Sequence, residues 1–257
     1  MGSQTPITTT TPLRLAILEA DTPLPSTRAK YSSYGGVFTS LFTRAASPTP
    51  LSSLLTITYH DIVGPSATYP SLDDIDAILI TGSKHNAFED GEGGWISALT
   101  EFVRRALESE RGIKVVGVCF GHQIVARALG VPVGRNAHGW EVSVTDVRLT
   151  EEGRRLFGKD SLKIHQMHRD AVASLPAGAV ALAETDVCPV QGFVIPGKAI
   201  TVQGHPEFTG PIVQEILDSR RDMGILSDEI YKSGTDRVED EHDGVAIARA
   251  FLKFLRE

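Results

Sequence analysis

Cys119 stands between Gly117 and Gly121, where an apolar run, Val115-Val116-Gly117-Val118, meets a segment with Ile124, Val125, Ala128 and Leu129 at helical spacing. G-x-C-x-G at a strand-to-helix join is the pattern of a nucleophile elbow with sulfur in place of a hydroxyl. Such a turn holds its nucleophile up and out only if its neighbours lack a Cβ, and a helix beginning beneath it favours the thiolate. A thiol that attacks a carbonyl needs a base. His205 is the best placed of the eight histidines, because it follows directly on the apolar run 199–203, at the sheet edge where the elbow should open. Glu207 lies two residues further on. Pro206 forbids a helix between them, and in extended chain side chains two apart face the same way, so the carboxylate can hold the second imidazole nitrogen. The tetrahedral oxyanion requires two donors. The N–H of Phe120, the residue after the nucleophile, is one by the geometry of an elbow. Gly82, at the end of an earlier strand, is either the second donor or a plain strand-to-helix turn.

Other residues offer weaker chemistry. Residues 153–160 nearly spell a phosphate loop, but Asp160 replaces the metal-binding hydroxyl and no strand precedes them. His165 and His168 are three apart with no third ligand at a sensible spacing, so no metal is expected. Cys188 precedes Pro189 outside any activating pattern, and Trp95 and Trp140 read as core or rim packing.

The elements that must position these groups alternate over the first half of the chain. Strands are expected at 13–19, 54–63, 76–81 and 115–118, and helices at about 36–46, 94–109 and from the elbow to Gly130, with a loop over 21–30. The helix at 94–109 has its apolar face in Ile96, Leu99, Phe102, Val103 and Leu107. Alternation of this kind implies an α/β fold: a mostly parallel central sheet with helices on both faces and ligands at the carboxyl ends of its strands. After Gly130 the shorter alternating runs at 141–149, 180–183 and 192–195 predict a small additional antiparallel region. A last parallel strand at 199–203 and amphipathic helices at 211–223 and 245–255 follow. Residues 1–12 read as a loose tail and 13–257 as one domain.

Lys and Arg total 25 against 32 Asp and Glu, a net charge of −7, which disfavours nucleic acid as a partner. Two cysteines, one of them in the elbow, argue against a disulfide framework and for a reducing, cytoplasmic setting. No signal peptide or membrane span is expected.

Three stretches in order, 119–123 (Cys-Phe-Gly-His-Gln), 166–172 (Gln-Met-His-Arg-Asp-Ala-Val) and 202–207 (Val-Gln-Gly-His-Pro-Glu), resemble the class I glutamine amidotransferases over roughly residues 13–255. Residues 80–90 and Phe120 look most like the stand-alone members, including plant γ-glutamyl peptidases and fungal amidotransferase-like proteins. The resemblance implies a Cys119–His205–Glu207 triad, an oxyanion hole from the amides of Gly82 and Phe120, and a substrate held by Ser83, Gln123, Met167, His168, Arg169 and Asp170, with no cofactor. It departs from the synthase-coupled members at Gly82-Ser83-Lys84, where they carry a Gly-Gly-Pro-like loop, and at Phe120, where they often carry Leu. The expected activity is hydrolysis of a γ-glutamyl amide in a small-molecule peptide or conjugate, through a γ-glutamyl thioester. The alternative is a glutaminase subunit feeding ammonia to a separate synthase, and a catalytically silent binding module ranks below both. Lys84 and His85 are expected at the rim, where a leaving group larger than ammonia would exit.

Overall fold

A computed structural model describes residues 11–257, so most of the tail expected over 1–12 lies outside the described residues. In chain order the elements are β1 (Leu13–Glu19), α1 (Pro25–Tyr31), α2 (Tyr34–Ala46), β2 (Leu55–Asp61), β3 (Ala77–Ile80), α3 (Trp95–Glu108), β4 (Lys114–Val118), α4 (Phe120–Ala128), β5 (Val133–Arg135) and β6 (Glu141–Leu149). They continue with α5 (Glu151–Phe157), β7 (Ser161–His168), β8 (Asp170–Val172), β9 (Val180–Glu184), β10 (Gly192–Ile195), β11 (Ala199–Val202), α6 (Gly210–Asp222), α7 (Asp228–Asp236) and α8 (Gly244–Arg256).

Nine strands form one sheet in the order β2-β1-β3-β4-β11-β10-β9-β6-β7, and β5 pairs with β8 in a small second sheet. The five strands from β2 to β11 are parallel. From β11 onward every pairing is antiparallel. The antiparallel strands expected from the second half extend the main sheet. The central parallel strands β3, β4 and β11 are buried on both faces, whereas the edge strand β2 is largely exposed. In β4, Val116 and Val118 point into one apolar cluster with Phe38, Phe42 and Phe251, while Val115 points into another with Trp95, Leu99 and Ile124. That alternation puts α2 and α8 on one side of the sheet and α3 and α4 on the other. A third cluster, built from Val37, Val142, Met167, Phe208, Ile212 and Leu217, seats α6 against the sheet beside the end of β11.

Several elements depart from the sequence expectation. The stretch expected as a loop at 21–30 contains α1, which starts with Pro25 in its first turn and whose Ser26 and Thr27 amides donate to Glu215 of α6 at 2.7 and 3.0 Å. The near phosphate loop is α5 and its exit. Thr150 caps the helix through Gly153 N, and Glu151 and Glu152 sit in its first turn, where the helix dipole favours them. Strand β7 escaped notice because its second half, Ile164 to His168, is buried on both faces and so does not alternate. Helix α7 is a short capped helix with one buried residue, Gly234, and little apolar periodicity to betray it.

Candidate active site

The elbow is built by close packing. Cys119 has φ 53° and ψ −105°, a backbone state that costs roughly 1–3 kcal/mol unless its surroundings impose it. They do: Cys119 N donates to Val202 O of the neighbouring strand at 2.9 Å, and Cys119 O accepts the first helical bond of α4 from Gln123 N at 3.1 Å. The flanking glycines let the helix sit directly on the strands. A Cβ on Gly117 would come within 2.7 Å of Gly121 O, and one on Gly121 within 2.3 Å of Ile80 O.

Strand β11 lies beside β4 with Val202 opposite Val118, so the chain leaving β11 passes the cysteine. His205 is bridged to β7 by its N–H, which donates to His165 O at 2.7 Å. Its ring lies flat on Phe208, 3.9 Å between centroids and 4° between planes. Nδ1 meets Glu207 Oε1 at 2.8 Å, and Cys119 lies near enough for its charge to act on the same imidazole. Pro206 and Glu207 form a turn, not extended chain, and the turn brings the carboxylate round to the ring. Burial by itself would drive His205 toward the neutral form. The Cys119 and Glu207 charges and hydrogen bonds outweigh it, and the imidazole pKa is pushed up to about 10. The arrangement is a thiol, an imidazole disposed to hold a proton, and a buried carboxylate that orients it. Chemically it can deliver a sulfur nucleophile and return a proton to a leaving atom.

Gly82 closes the other side of the histidine, so tightly that a Cβ there would lie 2.5 Å from His205 Cε1. Ser83 uses its hydroxyl within the loop, donating to Ala20 O at 2.7 Å and accepting from His85 N at 3.1 Å. Lys84 is pinned to Asp21 through both its amide and its ammonium, at 2.8 and 2.9 Å, and His85 sits edge-on to Trp95. Both line the cleft, where Lys84 is already paired with Asp21 and His85 packs against Trp95. Gln123 donates its amide to Asp170 O at 3.1 Å and to Gln203 Oε1 at 3.0 Å, so it braces the wall formed by residues 167–170. Asp170 accepts from Arg135 Nη1 at 2.6 Å; burial raises its carboxyl pKa, opposed by Arg135 and Arg169.

His168 is buried. Its Nδ1 meets Asp170 O at 3.0 Å, and its Nε2 lies 3.0 Å from Glu141 Oε2, its partner across the β6–β7 ladder. A convergence that spacing did not reveal includes His168 but not His165. Glu141, His168 and Cys188 offer ligand atoms within 4.8 Å of one another, the set among the described residues with metal-ligand chemistry. Glu141 also accepts from Thr185 at 2.8 Å and Gln191 at 2.7 Å, as a strut beneath the cleft wall would. Burial and the Glu141 charge push the Cys188 thiol up to about 12. His165 belongs elsewhere, its ring packed 4.8 Å from that of His242.

The cleft over the elbow has two lobes that share Ser83, Lys84, Met167, Arg220 and Met223. One reaches Cys119, Phe120, Gln123 and Asp170; the other reaches His205 and is walled by Leu24, Tyr34, Phe208 and Ile216. Sequence reasoning missed Tyr34, Arg135 and Arg220 and took Trp140 only as packing. Arg169 and Arg220 lie over the Trp140 ring at 5.2 and 4.9 Å. Nothing in their local sequence marks them, since Arg220 reads as one more basic residue ending an amphipathic helix.

The family model for glutamine amidotransferase class-I matches residues 54–218, a span that holds Cys119, His205 and Glu207. A Schizosaccharomyces pombe glutamine amidotransferase-like protein is 39% identical over 95% of this chain and 98% of its own length. Gamma-glutamyl peptidase 3 of Arabidopsis thaliana is 30% identical over 88% of this chain and 89% of its own. Among solved structures, a Thermotoga maritima glutamine amidotransferase shares the fold with a TM-score of 0.73 at 18% identity, covering 95% of this chain and 99% of that one.

Proposed function

This chain belongs to the class I glutamine amidotransferases, and from that premise we propose that it hydrolyses γ-glutamyl amide bonds in peptides or conjugates, acting alone. The observation that carries the proposal is the His205–Glu207 pair in one lobe of an open cleft whose adjoining lobe holds Cys119 on its strained elbow. The Arabidopsis thaliana gamma-glutamyl peptidases among its relatives support the choice of substrate class.

Cys119 Sγ attacks the γ-carbonyl carbon, and the carbonyl oxygen takes the developing charge toward the N–H groups of Phe120 and Gly82. His205 gives its proton to the amine nitrogen as the C–N bond breaks, leaving a γ-glutamyl thioester on Cys119. Water then enters from the His205 side, loses a proton to Nε2 and displaces the sulfur. Glutamate leaves and the thiol–imidazole pair is restored. Glu207 orients the ring throughout. Gln123 and the wall at 167–170 hold the glutamyl portion. A free thiol nucleophile suits a reducing compartment such as the cytoplasm; no helix among the described residues is long and apolar enough to cross a membrane.

The test is steady-state glutamate release by the purified chain from free glutamine, glutathione, S-substituted glutathione and γ-glutamyl dipeptides. The proposal expects higher kcat/KM for at least one γ-glutamyl peptide or conjugate than for glutamine. Glutamine preferred over all of them, or activity only when a second protein is added, establishes the glutaminase-subunit alternative instead.

A further inference from the structure

Resting on that reading, we propose that the lobe on the His205 side binds the leaving group, and that this group is an apolar α-amino acid whose free carboxylate is met by Arg220. The geometry of the reaction assigns the lobes. The acyl carbon must sit on Cys119 with its oxygen toward Phe120 N, so the glutamyl portion occupies the lobe lined by Gln123 and Asp170. The departing nitrogen takes its proton from His205, so whatever it carries extends into the lobe that reaches His205. Ammonia would leave that lobe empty.

Its walls specify what fits. Leu24, Tyr34, Phe208, Ile216 and Met223 make the His205-side lobe largely apolar. The Tyr34 and Phe208 rings are stacked 6.3 Å apart, so this wall is preformed. An apolar or aromatic side chain would shed water there at a gain of about 25 cal/mol per Å² buried. Of the cations near this lobe, Lys84 is neutralised by Asp21, whereas Arg220 Nη1 is buried and has no hydrogen-bond partner among the described residues. Arg220 is held by its neighbours. Its guanidinium rests on Trp140, a wall of the Gln123-side lobe, so it stands where the two lobes meet, and its main-chain carbonyl accepts from Ile225 N at 2.9 Å where α6 ends. Burial lowers its pKa, opposed by Cys119, Tyr34 and Asp21, as expected for a guanidinium with no adjacent counter-ion. A guanidinium with an unpaired N–H suits a carboxylate, which accepts in a matching fork geometry. A γ-glutamyl dipeptide presents that carboxylate one Cα beyond the scissile nitrogen. Cleavage forms the thioester S–C bond, breaks the amide C–N bond and releases the amino acid with the His205 proton on its nitrogen.

Four substrates test the proposal on the wild-type chain: γ-Glu-Phe, γ-Glu-Leu, γ-Glu-Gly and γ-Glu-phenylalaninamide, which lacks the carboxylate. The expected order in kcat/KM places γ-Glu-Phe and γ-Glu-Leu above γ-Glu-Gly, and γ-Glu-Phe above its amide by about tenfold or more, the size of a charged hydrogen bond. In Arg220→Gln the ratio of γ-Glu-Phe to its amide should collapse toward one, with Arg220→Lys restoring part of it. Equal rates on acid and amide in the wild type overturn the carboxylate contact, and γ-Glu-Gly as the best substrate overturns the apolar lobe. An Arg220→Gln loss of equal size on both substrates overturns the assignment too, because the arginine would then serve the glutamyl carboxylate common to them. Each of these results leaves γ-glutamyl hydrolysis standing. No cleavage of any γ-glutamyl compound removes that reading and this inference together.

Discussion

Replacing Gly82 with alanine adds one methyl group and keeps the backbone N–H, yet it should cripple the site. The new Cβ would lie 2.5 Å from His205 Cε1, whereas carbon atoms in contact settle at about 3.5–4.0 Å. The ring must therefore retreat by about 1 Å or the loop must lift by as much. Moving the ring means breaking the contacts that hold it. Phe208 lies flat against the imidazole at 3.9 Å, Glu207 holds Nδ1 at 2.8 Å, and the His205 amide is bonded to His165 O at 2.7 Å. A misplacement of that size at a reacting group costs about 100-fold in rate, and overpacking costs about 1–3 kcal/mol in stability. The assay is kcat on a γ-glutamyl peptide, with a thermal melt of the same variant. Gly134→Ala is the control, since a Cβ there meets nothing within 4 Å and its φ is not in the left-handed region. A Gly82→Ala enzyme with kcat within about threefold of wild type would mean that the ring is not clamped as argued. Loss of rate in the control as well would mean the effect is not local.

Cys119→Ala should abolish glutamate release with the melting temperature little changed, because the elbow is set by Gly117, Gly121 and the Val202 bond; residual turnover at the wild-type rate refutes the nucleophile. Cys188→Ser should retain most of the activity, and iodoacetamide should label Cys119 in preference to Cys188, whose thiol is fully buried and pushed up to about 12; mass spectrometry of the labelled peptides decides it. His205→Ala should lower kcat more than Glu207→Ala, since the histidine carries protons in both half-reactions and the carboxylate only orients it, and equal losses contradict these roles. Burial, reinforced by His168, lowers the His122 pKa to about 3, so this imidazole is neutral when folded but charges near pH 6.5 when unfolded. The unfolded chain then binds the extra proton, and the stability this neutral histidine contributes is present above pH 6.5 and lost as pH falls toward 3. Urea titrations at pH 7 and 4.5 should show His122→Gln losing less stability on acidification than wild type, by up to about 1.4 kcal/mol per pH unit; parallel losses would refute the assignment.

What the sequence determined by itself was local. The elbow is five residues whose glycines, β-branched run and following helical pattern agree with one another, and the residues that shape it are near in the chain. The His205–Glu207 contact was legible for the same reason, since Pro206 leaves a short segment few conformations; only the turn in place of extended chain differed. Parallel strands buried on both faces announced themselves as continuous apolar runs, as β3 and β4 do. Tertiary structure decided what depends on distant partners. Strand β7 takes its place from β6, and α1 docks by its amides on Glu215. Lys84 and His85 stand where a substrate contact was expected, but packing gives Lys84 the partner Asp21 and sets His85 against Trp95. Arg220 has no motif and lies far along the chain, but packing brings it to the wall shared by both lobes with one N–H left unpaired among the described residues. Glu141, His168 and Cys188 converge only because β6, β7 and the turn before β10 meet under the same wall. Spacing along a chain encodes which groups share a turn or a helix face, whereas the partner that neutralises a charge or leaves it free is chosen by packing across the fold.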